Sequence, residues 1–173
     1  MAPPRVDIDH RLLRIYLSDH VAGATGAIAR SRRMARTYGE TPLGGPIGGF
    51  AEELERERTV LLDLAEGLGV RLSRWKSVGA AAGERVGRLK TNGRLTSASP
   101  LSALLELELL RGGVNAKRGL WDSLASWSDA LGLERGRFEE LDRRGLVQIE
   151  LLERLATVAR DRVAAGVHDV RDA

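Results

Sequence analysis

The chain has no cysteine, three histidines, three lysines and 4% aromatic residues in 173 positions. Without cysteine there is no disulfide framework, thiolate zinc site, iron–sulfur cluster or cysteine nucleophile. With so few histidines, any metal site must draw on carboxylates. No apolar run approaches the ~20 residues of a membrane-spanning helix. The opening MAPPRVDIDH has no apolar core of the kind a secretory signal needs. The expected location is therefore the cytoplasm. β-branched residues are sparse and alternating patterns never persist, which argues against strands.

What is present is arginine. The three lysines among 27 basic residues leave 24 arginines, against 24 acids, for a net charge of +3. Between positions 71 and 94 the chain carries Arg71, Arg74, Lys76, Arg85, Arg88, Lys90 and Arg94 with one acid, Glu84. A second basic group is Arg30, Arg32, Arg33 and Arg36. Such a patch fits an acidic partner, nucleic acid or an anionic membrane surface. It also fits an ordinary solvated surface, and the 71–94 stretch holds only one aromatic residue, Trp75.

The length suits one domain spanning 1–173. A 3.6-residue period recurs four times and predicts helices over about 9–38, 47–68, 100–131 and 134–166. Asp7 or Asp9 can cap the first helix. Ser99 and Pro100 suit the N-cap and first position of the third. The first joint, GETPLGGPIGG, reads as a flexible turn, and the last, LGLE, is short. The segment 70–99 is long, and WKSVGAAAGERVGRLK within it could form a short helix. The expected fold is an all-α four-helix bundle of two hairpins, joined by a crossover that makes the second and third helices parallel.

Polar residues interrupt the apolar stripes. The second helix reads Ile47, Phe50, Leu54, Glu57, Leu61, Leu64, Leu68. The first reads Leu13, Leu17, His20, Ala24, Ala27. On the third, Glu106 and Lys117 face inward, and on the fourth Gln148 does. A charge removed from water needs a counter-charge, a proton or a metal. Axial arithmetic places Glu57 near Glu106, and His20, Lys117 and Gln148 at a second level. Glu57 is expected either to pair with an arginine or lysine, such as Arg32, Lys117 or one from the crossover, or to ligate a metal. Trp121 and Trp127, at the edges of the third stripe, suit either core packing or a homodimer interface.

The runs YLSDHVAGATGAIARSRR and NGRLTSASPLSALLELELL, with the long crossover and the inward carboxylates, resemble an uncharacterised family of bacterial ferritin-like proteins. The resemblance implies a ferritin-like bundle with a degenerate carboxylate site for iron, manganese or zinc, held by Glu57, Glu106 and His20. The two Glu-x-x-His pairs of ferritin-like di-iron enzymes are absent: Arg56, Leu109 and Glu153 follow Glu53, Glu106 and Glu150 at that spacing. No phosphate loop, nucleophile elbow or zinc-protease motif occurs either. The reading leans away from an enzyme. The alternative is an interaction module that uses the basic crossover.

Overall fold

A computed structural model describes residues 8–72 and 99–166. Among these residues every regular element is helical: α1 (His10–Thr37), α2 (Gly44–Gly67), α3 (Pro100–Ser126), α4 (Ser128–Leu131) and α5 (Arg135–Ala164). The 26 residues 73–98 lie outside the described residues, and with them the expected short crossover helix and Arg74, Arg85, Arg88, Lys90 and Arg94. Arg71 is described and exposed.

Local chemistry sets the ends. Asp9 Oδ1 accepts from the amides of Arg11 at 2.7 Å and Leu12 at 3.2 Å, and so caps α1. Ser99 Oγ accepts from the Ser102 amide at 3.2 Å, with Pro100 in the first turn of α3. Each such cap is worth ~1 kcal/mol.

Two boundaries differ from the periodicity. The glycine-rich joint is not a loose turn throughout, because Gly44–Gly49 already belong to α2. The chain reverses so tightly there that a Cβ on Gly44 would lie 2.6 Å from the Tyr38 carbonyl oxygen. Thr41 holds the reversal by donating from Oγ1 to that carbonyl at 2.7 Å. The third predicted helix is also broken, at Trp127. Ser128 is buried and bonds back to the Ala125 carbonyl at 2.8 Å, an attachment that bends helices. Gly132, at φ 67°, then ends α4 in the left-handed conformation that glycine adopts without cost.

Two apolar clusters give the packing order. One joins Met34, Tyr38, Ile47, Phe50 and Leu54 to Ala103, Leu107, Leu110, Leu152 and Leu155. The other joins Leu13, Leu17, Leu61 and Leu64 to Leu120, Trp121, Leu124, Phe138 and Leu141. The start of α2 thus meets the start of α3, and the ends of both meet in the second cluster. So α2 and α3 run parallel, while α1 opposes α2 and α5 opposes α3. Trp121 and Phe138 stack at 6.4 Å between ring centres, so Trp121 serves the core. Each fully buried Leu or Phe contributes roughly 1.5–3 kcal/mol. No described helix is long and apolar enough to cross a membrane.

Candidate functional site

The polar residues that interrupt the stripes are indeed buried: Glu57, Glu106 and Gln148 are each at most 5% exposed. Lys117, in the middle of α3, is shielded nearly as well. Its ammonium donates to Glu57 Oε2 and to Gln148 Oε1. The Gln148 amide nitrogen in turn donates to Glu57 Oε1 and Glu53 Oε2, each at 3.0 Å. Three helices are tied by one connected network in which both Glu57 oxygens are satisfied. Burial lowers the Lys117 pKa, while the charge and hydrogen bond of Glu57 and the charge of Glu53 oppose that fall.

Glu106 belongs to a different place. Arg33 donates to its Oε1 at 2.8 Å, and Arg30 stands 3.9 Å from the same oxygen. Its other oxygen is buried with no partner among the described residues. Nearby Tyr38 has its pKa pushed up to about 12, first by burial and then by Glu106, with Arg33 opposing. The expected closeness of Glu57 and Glu106 is therefore overturned. Lys117, which meets Glu57, is eleven residues along α3 from Glu106, or ~16 Å of helix. With α2 beginning at Gly44 rather than near 47, Glu57 lies 13 residues beyond the start of its helix, nearer the level of Lys117, 17 residues into α3, than that of Glu106, six residues in.

His20 is half-buried on α1, with its ring edge-on to Tyr16 at 4.7 Å. Burial lowers its pKa and the neighbouring Asp19 charge opposes that shift. His20 and Glu57 line one cavity, but Glu106 does not. Among the described residues no three His, Cys, Asp or Glu side chains are placed to hold a metal ion. The set Glu57, Glu106 and His20 is thus divided, each carboxylate taken by a cation of its own. The second basic group is divided too, with Arg32 on Glu55 and Arg30 and Arg33 on Glu106.

The cavity was not legible in the sequence. It holds about 250 Å³ between α1, α2 and α3. Small residues make it: Gly23, Ala24 and Ala27 on α1 stand across from Gly113 and Ala116 on α3. Asp19, Gly23, Gly113 and Ala116 are exposed, so the space opens between these two helices. Tyr16 clips α1 to α3 nearby, its hydroxyl 3.2 Å from Ser123 Oγ. The deeper wall is Phe50, Leu54, Leu61, Leu110, Leu120 and Trp121. Polar groups are few: His20, Glu57, Arg58 and Lys117 beside Asp19 at the mouth.

Two donors in this wall are unsatisfied. Among the described residues, Trp121 Nε1 and Arg58 Nε are both buried with no hydrogen-bond partner. A buried donor without an acceptor forfeits about 1–3 kcal/mol. The sequence signal that could have found the site is the cluster of glycine and alanine at facing positions of two otherwise large-residue helices. No protein-family model matches the chain, and neither a curated protein nor a solved structure matches it significantly.

Proposed function

We propose that this protein is a four-helix bundle of ferritin-like topology whose work is to bind a small molecule in the cavity between α1, α2 and α3. The parallel run of α2 and α3, each with an antiparallel partner, supports the topology. The observation that carries the function is that the two buried nitrogen donors without a partner among the described residues, Trp121 Nε1 and Arg58 Nε, belong to residues that line this one cavity. Apolar walls with a few converging polar groups are what small-molecule sites have in common. The ligand has an apolar body and an acceptor: a carbonyl, hydroxyl or carboxylate oxygen. Its size follows from volume. An engineered apolar cavity of ~150 Å³ takes up benzene, so this larger space suits a bicyclic or medium-chain compound.

Thermal melting of the full chain with naphthoate, naphthalenemethanol and naphthalene tests the reading. The two acceptor-bearing compounds raise the melting temperature most. At a hundredfold excess over Kd the stabilisation is about 2.7 kcal/mol. For a chain of this length each kcal/mol shifts the midpoint by roughly 2–4 °C. Trp121→Phe narrows the gap between naphthoate and naphthalene, and Ala24→Leu, which fills the cavity, abolishes both effects. No shift with any of the three compounds overturns the proposal.

A further inference from the structure

The cavity wall contains an amine. In a chain that carries 24 arginines, one of its three lysines lines the cavity and belongs to the core network beside it. Arginine would supply the same charge and richer hydrogen bonding, but it does not give up its proton, whereas a desolvated lysine does. An ammonium has three donors. Two are engaged among the described residues, by Glu57 and Gln148. A carboxylate in direct hydrogen bond to the ammonium is placed to take its proton.

We infer that the ligand class is a carbonyl compound, an apolar aldehyde or ketone, which Lys117 captures as an imine with Glu57 as its proton carrier. The inference rests on the binding reading above and narrows it, since a carbonyl oxygen is an acceptor of the kind Trp121 and Arg58 lack. The step balances without oxidant or reductant. The Lys117 ammonium gives one proton to the Glu57 carboxylate. The free amine adds its electron pair to the carbonyl carbon, and the C=O π pair moves to oxygen. A proton passes from nitrogen to that oxygen to give a carbinolamine. Glu57 returns its proton to the hydroxyl, the C–O bond breaks, water leaves and C=N forms. The product is an iminium facing a carboxylate, so the core keeps the charge pair it began with. Gln148 keeps its place by holding Glu57 and Glu53. Burial, which lowers the Lys117 pKa, favours the first step.

The test is reductive trapping. The full chain is incubated at neutral pH with naphthaldehyde and cyanoborohydride, and the adducts are mapped by peptide mass spectrometry. The chain offers three lysines and its N-terminal amine, so selectivity is read directly. The expected result is modification of Lys117 about tenfold faster than of Lys76 and Lys90, because the cavity holds the aldehyde beside the Lys117 amine and Glu57 carries its proton. Naphthoate competes with that adduct, Glu57→Gln slows it, and Lys117→Arg removes it. Adducts confined to Lys76, Lys90 and the N-terminus, while naphthoate still raises the melting temperature, overturn this inference and leave the binding reading standing. Neither adduct at Lys117 nor a melting shift overturns both.

Discussion

Lys117 of α3 and Glu57 of α2 form an ion pair inside the core, with Gln148 of α5 bonded to both partners. The lysine side chain is 13% exposed and the glutamate 6%, so water does little of the solvating. An ion pair this dry holds its place because each charge would be far worse off alone.

The first prediction follows from that dependence. Lys117→Met leaves a buried carboxylate without its cation and costs about 3–5 kcal/mol. Adding Glu57→Gln removes the orphaned charge and restores roughly 1–3 kcal/mol of that loss. Urea unfolding of the two single variants and the double variant reads the cycle. Losses that simply add would show the two side chains to be independent.

Glycines in the helices divide by what a Cβ would meet. At Gly145 it would lie 2.6 Å from Arg118 Cγ, because that side chain crosses α5 there to reach Asp142 at 2.8 and 3.1 Å. At Gly112 it would meet nothing within 4 Å. Gly145→Ala therefore destabilises by roughly 1–3 kcal/mol through overpacking. Gly112→Ala stabilises by about 0.5–1 kcal/mol through helix propensity alone. Denaturation midpoints of the two variants should move in opposite directions, and movement in the same direction would contradict the packing at Arg118.

Tyr38 gives an alkaline signature. Its folded pKa of about 12 stands above the ordinary value of 10, so the folded state holds the phenol proton more tightly than the unfolded chain does. Its contribution is complete below pH 10 and is lost as pH rises from 10 toward 12. Lys117 acts in the opposite sense, since a lowered pKa relieves the fold as pH climbs toward the ordinary lysine value of 10.5. Glu106 and Arg33 are the charges that face Tyr38. Unfolding free energy measured from pH 9 to 12 should decline less steeply in Tyr38→Phe than in the parent chain. Parallel profiles would refute the assignment.

Much of the fold follows from spacing. The stripe Ile47, Phe50, Leu54, Glu57, Leu61, Leu64 repeats at the helical period, and all six side chains are buried. Asp9, Ser99 and Gly132 act where their local chemistry places them, because caps and left-handed turns depend on a few neighbouring residues. The break at Trp127 was not legible, since the bond from Ser128 competes with a helix that propensity alone would continue.

The site was legible only in its ingredients. The sequence by itself determined that Glu57, Glu106, Lys117 and Gln148 leave water, because helical periodicity fixes which face a residue occupies. Tertiary structure decided who meets whom, because the axial offset between helices is set by packing across the whole interface rather than by where each helix starts. That offset brought Lys117 to Glu57 and left Glu106 to Arg33, so the two carboxylates that the axial arithmetic places together are neutralised separately. It also set the small residues of α1 opposite those of α3. The resulting cavity, with its lysine and two unsatisfied donors, belongs to no single helix and could not be read from any one of them.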